Sequence, residues 1–321
     1  MHSEYPHQTA GRKGIAPITR MAAIRKHKVL FLFLLPGLVV MAVNNYLPLA
    51  GLVIAFKSID YAKGLWGSPF VGLRNFEFLF ATADALSVTR NTVLYNLVFL
   101  LAGLIINVFV AICLNEMGRK RLAKVYQTIY MLPYFLSMVV VAYAVYGFLN
   151  PATGFVNTAL LPALGLEPVD WYMETKYWVI LLPLVHFWVN TGVGSVIYIA
   201  SIAGIDGQMY EAATVDGAGR FAQILHITLP TIRPVMVIMT LLGVGNIFRG
   251  NFGLFYQVPM ASPALYPVTD VIDTFVYRSM ISSADMGMVM AASLYQSVVG
   301  CLMVVFSNVA VRRIDEGSAL F

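Results

Sequence analysis

Long apolar runs separated by short polar segments dominate the hydropathy pattern of this chain. About 20 helical residues, rising about 1.5 Å each, are needed to cross a hydrocarbon core about 30 Å thick. Six runs reach that length and are predicted to be membrane-spanning helices: 29–52, 92–114, 127–149, 177–205, 234–255 and 286–311. The pattern predicts an all-α integral membrane protein whose single six-span domain, residues 29–321, follows a basic tail, residues 1–28.

A polar segment between the fourth and fifth predicted spans, residues 206–234, differs from the apolar runs on both sides of it. Asp206 has a side chain suited to cap a helix N-terminus. The pair Asp216-Gly217 predicts a turn, because glycine adopts the positive φ that ends a helix. A second helix then presents three apolar residues at helical spacing, namely Phe221, Ile224 and Leu225, and Leu229-Pro230 is predicted to end it. We expect two short helices joined by a tight turn.

Positive charge predicts how the spans are oriented. Of the 21 Lys and Arg residues, 14 lie in the tail, the loop after the second span, the segment 206–234 and the C-terminus, and six lie in the loops of the opposite side. Because Lys and Arg are enriched on the cytoplasmic side of membrane proteins, both termini and the segment 206–234 are predicted to be cytoplasmic. The net charge of +5 is then explained by anionic lipid at the inner surface, and no nucleic-acid partner is needed.

The composition and the missing motifs exclude several classes of protein. Hydrophobic residues are 59% and charged residues 12% of the chain, against roughly 25% charged in soluble domains. The sequence has no phosphate-binding G-x-x-x-x-G-K-[ST] motif, no metal-site motif and no nucleophile motif, which predicts a chain without its own ATPase or metal site. Cys113 and Cys301 both lie in predicted spans, which disfavours a disulfide framework. No acidic residue lies in a predicted span, so an ion-coupled carrier would lack its usual ligands.

Polar and aromatic residues inside the predicted spans are candidates for a substrate pathway. A basic side chain at the centre of a span costs about 2.5 to 3.5 kcal/mol on insertion scales, so Arg249 is expected to face a cavity or a partner, or to snorkel to the outer surface. Aromatic rings and amides suit a sugar, which offers C–H faces and hydroxyls, although membrane helices also use both for packing. The candidates are Tyr143, Tyr146, His186, Asn190, Asn246, Arg249, Tyr295 and Gln296.

The polar segment also carries a known pattern at its full spacing. It has Glu211, Ala212 and Ala213, then Gly217, then Ile227, Leu229 and Pro230. This pattern resembles the EAA loop of the permease subunits of bacterial ATP-binding cassette (ABC) importers. Residues 266–278, YPVTDVIDTFVYR, and the first span resemble the LplB-like polysaccharide and oligosaccharide permeases within the carbohydrate-uptake family. The likeness covers nearly the whole chain, from about Lys26 to Arg313.

The resemblance implies a type I ABC importer permease fold with a cytoplasmic EAA coupling loop, in a bacterial inner membrane. It implies a second, homologous permease, two cytoplasmic ATPase subunits that bind ATP and Mg, and a periplasmic or lipid-anchored solute-binding protein. The residues expected to couple the chain to an ATPase are Glu211, Ala212, Ala213, Asp216, Gly217, Phe221, Ile227, Leu229 and Pro230. The implied substrate is a saccharide, and Arg249 would suit an acidic, alginate-like one.

Other interpretations remain open at this point. The two short helices would also suit an amphipathic pair that lies on lipid, although that does not explain the spacing from Glu211 to Pro230. A permease for a polyol or a sugar phosphate, a secondary carrier, and a membrane scaffold or sensor are the alternative functions.

Overall fold

The computed structural model describes residues 28–81, 83–283 and 285–314, so the predicted tail lies outside the described residues except for Lys28. The chain divides into two compact units, the first up to Val53 and the second from Ile54. Helix α1 (Lys28–Met41) continues through a π-helical turn (Ala42–Tyr46) and a 3-10 helix (Leu47–Phe56). Together these segments form a 29-residue apolar helix where the first span was predicted.

The other spans belong to the second unit. Its main helices are α2 (Ala83–Glu116), α3 (Lys120–Met131), α4 (Met138–Leu149), α5 (Thr175–Ala203), α6 (Gly207–Val215), α7 (Arg220–Val244), α8 (Ile272–Ser283) and α9 (Met286–Ile314). Among the described residues, five helices are long and apolar enough to cross a membrane, or six if the bent pair α3–α4 counts as one span. The all-helical, six-span prediction is confirmed with that one qualification.

The third predicted span, 127–149, is the bent one, and it is formed by two helices instead of a single continuous one. Helices α3 and α4 meet at an angle of 100°. Between them the chain forms a 3-10 turn that contains Pro133, and Leu136 and Ser137 then adopt extended backbone angles. The Ser137 hydroxyl accepts a hydrogen bond from the Val140 N–H at 3.3 Å and so caps α4. The sequence did not reveal the bend because the apolar run continues across it, from the end of α3 to α4.

The fifth predicted span is displaced along the chain. Helix α7 begins at Arg220 and ends at Val244, whereas the span was predicted over 234–255, and Leu229-Pro230 does not end a helix. A π-helical turn, Ile224–Thr228, directly precedes Leu229, so Pro230 lies within the first two positions of the next helical segment. Proline is tolerated there because the first residues of a helix need no backbone N–H donor.

Glycines allow the helices of the second unit to approach closely. A Cβ added to Gly192 of α5 would lie 2.1 Å from the Tyr130 carbonyl oxygen of α3, and one added to Gly194 would lie 2.6 Å from the Asn107 side chain of α2. Close approach at small residues is the usual way in which membrane helices pack. Helix α5 is thus held between α2 and α3.

A polar network fixes the segment before the last span to the start of α2. The Asn91 amide donates to the carbonyl oxygens of Pro267 and Asp270 at 3.0 and 3.1 Å. Arg278 forms an ion pair with the Asp270 carboxylate, and its guanidinium lies 3.9 Å from the centre of the Tyr266 ring. These contacts lie at the opposite end of α2 from Glu116.

Candidate functional site

The EAA segment folds as two helical arms around a tight turn. The Asp206 carboxylate accepts from the Gln208 N–H at 3.0 Å and caps α6, as predicted. Gly217 has a φ of +81°, and the Ala218 N–H reaches back to the Ala213 carbonyl at 2.8 Å. Glycine adopts this left-handed conformation without a Cβ clash, so the predicted turn is confirmed. The first arm is α6, and the second arm is the N-terminal part of α7, which begins at Arg220.

Side-chain hydrogen bonds fasten the two arms to each other. The hydroxyls of Tyr210 and Thr228 lie 2.9 Å apart. The Gln223 amide donates to the Thr214 hydroxyl at 2.9 Å and to the Ala218 carbonyl at 3.2 Å. Because both arms are tied at two points and one of them is the start of α7, a force on α6 is transmitted directly to a membrane-spanning helix.

The turn is also linked to α2. Arg220 donates to the Glu116 carboxylate at 2.5 Å, although its own side chain is 77% exposed. An exposed ion pair contributes little stability, about 0 to 1 kcal/mol, so this contact is better understood as a link than as a stabilising element. The EAA arms therefore touch the ends of two spans, α2 and α7.

The predicted coupling residues divide into a surface set and an inward set. Glu211, Ala212, Asp216, Gly217, Phe221 and Pro230 are exposed. Val215 and Phe221 are 87% and 78% exposed, which leaves large apolar side chains outside the fold at the turn. Ala213 and Ile227 are half-buried, and Leu229 packs on the buried cluster of Val108, Tyr198 and Ile232.

A second feature lies near the other end of α7, where the predicted fifth span is interrupted. The helix ends at Val244, residues 245–248 form turns, and a short π-helical segment resumes at Gly253–Gln257. Although their spacing of three residues would place Asn246 and Arg249 on one face of a continuous helix, no such helix exists at these positions. Instead the interruption borders a cavity of about 280 Å³ lined by Leu242, Gly245, Asn246, Arg249, Gln296 and Ser297, among others.

The cavity brings three of the predicted pathway residues together: Asn246, Arg249 and Gln296. Arg249 and Asn246 are exposed, whereas Gln296 is only 8% exposed. The Gln296 amide nitrogen already donates to the Phe248 carbonyl at 2.8 Å and to the Asp273 carboxylate at 2.9 Å. Both of its N–H donors are thus used inside the protein.

The other candidate pathway residues lie elsewhere in the fold. The His186 ring stacks on Phe99 with centroids 3.7 Å apart, and the Asn190 amide donates to the His186 carbonyl at 2.8 Å, which suits packing. Tyr146 packs edge-on against Tyr172. Tyr143 is 63% exposed. In the part of the chain that the structure describes, the lining of the Arg249 cavity includes none of these residues, nor Tyr295, which packs edge-on against Phe80 and Phe248.

Two polar residues at the interruption were missed. The Asn96 amide nitrogen of α2 lies within hydrogen-bond distance of the Ile247 and Arg249 carbonyl oxygens, at 3.0 and 2.9 Å, and of the Thr92 carbonyl of its own helix, at 2.8 Å. Its two N–H donors are shared among these three acceptors. Asp273 of α8 accepts from the Gly250 N–H at 2.6 Å and from Gln296. Burial raises the pKa of the Asp273 carboxyl, while those two hydrogen bonds and the Arg249 charge oppose the rise. The only feature of the sequence that could have indicated a role for Asn96 is its polar side chain within an otherwise apolar run.

Asp273 also modifies the expectation about acidic residues. Within the described helices that count as spans, the acidic residue is Glu116, at the last position of α2, but the Asp273 carboxylate also reaches Gln296 within α9. Sequence position alone did not reveal this, because α8 packs against α9 only in the folded chain. Among the described residues, no group of three or more His, Cys, Asp or Glu side chains could hold a metal ion.

Comparisons with known proteins agree with the geometry. No family model matches the chain. It is 32% identical to protein LplB of Bacillus subtilis over 97% of this chain and 96% of that protein. It is 30% identical to YteP of the same organism, a polygalacturonan/rhamnogalacturonan transport system permease, over 91% of this chain and 90% of that protein.

Solved structures give the same result at the level of the fold. A chain of a bacterial ABC transporter involved in the import of the acidic polysaccharide alginate matches with a TM-score of 0.83 and 32% identity, over 92% of this chain and 99% of that one. A chain of an alginate ABC transporter in complex with a periplasmic protein bound to alginate pentasaccharide matches with a TM-score of 0.81. The six-span helical fold and these near full-length likenesses place the chain in the carbohydrate-uptake family of ABC importer permeases.

Proposed function

We propose that this permease carries an acidic oligosaccharide or polysaccharide fragment, of the alginate or galacturonan type, into the cytoplasm by alternating access. The observation that carries the proposal is the interrupted fifth span, which leaves the exposed Arg249 guanidinium on a cavity with Asn246. Backbone that leaves the helical form inside a membrane is tolerated where it lines a water-filled cavity or is buried in protein. Guanidinium groups bind carboxylates through charge-assisted hydrogen bonds, and a polyuronate offers one carboxylate per sugar.

The permease works in an assembly. A second permease completes the passage, two cytoplasmic ATPase subunits bind ATP and Mg, and a periplasmic or lipid-anchored protein delivers the saccharide. The chain lies in the bacterial inner membrane with both termini and the EAA loop inside, which is supported by the excess of Lys and Arg in those segments. The near full-length match to the alginate transporter bound to its periplasmic protein supports the delivery step.

The EAA arms couple this assembly to ATP. The exposed residues Glu211, Ala212, Gly217 and Phe221 seat in a cleft of one ATPase: the small residues permit close contact, Phe221 is the apolar anchor and Glu211 is a charged contact. When the ATPases close, the arms move, and the hydrogen bonds from α6 to the start of α7 pass that movement to the spans.

Uptake into proteoliposomes that contain the complete importer tests the substrate. Arg249→Ala is expected to raise KM for a uronate oligosaccharide about tenfold or more, the size of a lost hydrogen bond to a charged group, with a much smaller change for a neutral oligosaccharide. Arg249→Lys, which retains the charge, should keep part of the preference. Arg74→Ala, which removes an exposed charge from another segment, is the control and should leave the preference unchanged.

The outcomes separate the alternatives. Equal uptake of uronates by wild type and Arg249→Ala would refute the role of Arg249. Transport of a polyol or a sugar phosphate, but of no oligosaccharide, would refute the substrate class. Uptake by vesicles that contain no ATPase subunits would indicate a secondary carrier.

A further inference from the structure

Four consecutive residues at the interruption, 247–250, have backbone groups that bond to side chains from other parts of the fold. The carbonyl oxygens of Ile247 and Arg249 lie 3.0 and 2.9 Å from the Asn96 amide nitrogen, whose two N–H donors they share with the Thr92 carbonyl at 2.8 Å. The Phe248 carbonyl accepts from the Gln296 amide at 2.8 Å, and the Gly250 N–H donates to Asp273 at 2.6 Å. The partners come from three separate helices, α2, α9 and α8.

These bonds replace those that a continuous helix would have made. A carbonyl beyond the end of a helix has no intrahelical donor, and an unsatisfied backbone group in a membrane costs several kcal/mol. The side chains of Asn96, Gln296 and Asp273 therefore satisfy backbone groups at the interruption, where the predicted span would otherwise continue. We call Asn96, Gln296 and Asp273 the clamp.

The interruption is closely packed at Gly250. A Cβ added to Gly250 would lie 2.6 Å from the Val271 side chain and 2.8 Å from the Asp273 carboxylate, so a larger residue there would displace one of them. In an α-helix, successive side chains are rotated by about 100° around the helix axis. If residues 245–249 became helical, the direction of the Arg249 side chain would change by a large angle.

We propose that Asn96, Gln296 and Asp273 are positioning residues, which hold the fifth span open so that the Arg249 guanidinium faces the cavity and selects acidic saccharides. The inference rests on the proposed function, since it gives Arg249 the same substrate. It differs from the sequence-based expectation for Gln296, because the amide of this residue acts on the backbone of the interruption and not on the sugar.

Cysteine labelling tests the position of residue 249 without any transport. In the complete importer, Cys113 and Cys301 are replaced by alanine, Arg249→Cys is introduced, and labelling by a negatively charged, water-soluble thiol reagent is timed. Labelling is expected to be fast with the clamp intact and about tenfold slower after Asn96→Ala, the scale set by the cost of unsatisfied buried groups. An equal or faster rate in Asn96→Ala would overturn the proposal.

Asn75→Ala is the matched control. Asn75 is buried, whereas Asn96 is half-buried, and the Asn75 amide also donates to two backbone carbonyl oxygens, those of Ala55 and Lys57, but at a site away from the interruption. This variant loses the same kind of bonds and should label at the wild-type rate. Gln296→Ala, which frees a different carbonyl, serves as a second clamp variant if Asn96→Ala does not assemble.

Selectivity gives a second, independent test. Asn96→Ala in the otherwise native chain is expected to lower the uronate-to-neutral uptake ratio about as much as Arg249→Ala does, and the double variant should show no further loss. Additive losses, or an equal loss for both sugars, would contradict a positioning role. If the importer moved no saccharide at all, the proposed function would fail, while the labelling experiment would still decide whether the clamp positions residue 249.

Discussion

Individual residues explain why the EAA turn has its shape. Gly217 occupies a left-handed backbone conformation, with a φ of +81°, and open space surrounds the position where its Cβ would be. Backbone strain, and not a clash with a neighbour, therefore sets the cost of a side chain there. That cost is roughly 1 kcal/mol for alanine, enough to change the turn between the two arms without unfolding the spans.

Gly217→Ala is accordingly expected to leave the importer inserted and assembled, but to lower the ATP hydrolysis stimulated by the loaded binding protein several-fold. The rate of phosphate release from the reconstituted importer is the measurement. Gly207→Ala is the control, because Gly207 opens α6 at an ordinary φ with nothing within 4 Å of an added Cβ. Full stimulation in Gly217→Ala would contradict the role of the turn in coupling.

Among the helices, close backbone contact is the feature that a substitution would disturb most. The π-helical turn in α7 and the bend between α3 and α4 both accommodate nearby proline residues. In contrast, α5 and α3 meet at Gly192 with no room for a methyl group. The nearest atoms belong to the backbone of Tyr130 and Met131, which cannot move aside as the end of a side chain would. Relief of the clash requires the helices to separate.

Gly192→Ala should therefore destabilise the folded permease by about 1 to 3 kcal/mol, the usual cost of overpacking. The thermal unfolding midpoint of the importer in nanodiscs is expected to fall. Gly147→Ala in α4 is the matched control, since nothing lies within 4 Å of its added Cβ, and it should leave the midpoint unchanged or raise it slightly, because alanine favours the helix over glycine. An unchanged midpoint in Gly192→Ala would mean that the two helices are less closely packed than described.

For the whole molecule, the two ends of the second unit differ in what they expose. Helix α5 has 29 residues, about 43 Å, and separates the EAA turn from the loop before Thr175. One end presents an apolar turn for a partner, and the other carries the Asn91–Asp270–Arg278 network. The proposed coupling works only if the EAA end is cytoplasmic.

Single-cysteine labelling in inside-out and right-side-out vesicles measures that orientation. Val215→Cys, at a residue 87% exposed beside the EAA turn, should react with an impermeant reagent only in inside-out vesicles. Leu164→Cys, at a residue 64% exposed before α5, should react only in right-side-out vesicles. The opposite pattern would place the EAA arms outside and exclude contact with a cytoplasmic ATPase.

The fold class, the approximate spans, the cap at Asp206 and the turn at Gly217 could all be predicted from the amino-acid sequence. These features depend on local chemistry: apolar length, a carboxylate that accepts from a free N–H, and a residue without a Cβ. The EAA spacing also indicated the family, because its pattern is written along one continuous segment.

The folded chain was needed to show where the third span bends, where the fifth span begins and ends, and which polar residues are in contact. An apolar run has the same hydropathy whether or not it bends, and Pro230 forms no boundary once a π-helical turn precedes it. Asn96, Asp273 and Gln296 are far apart in the chain and share the backbone at 247–250 because three helices converge there. Hydrogen bonds between distant segments depend on packing, which no local pattern encodes.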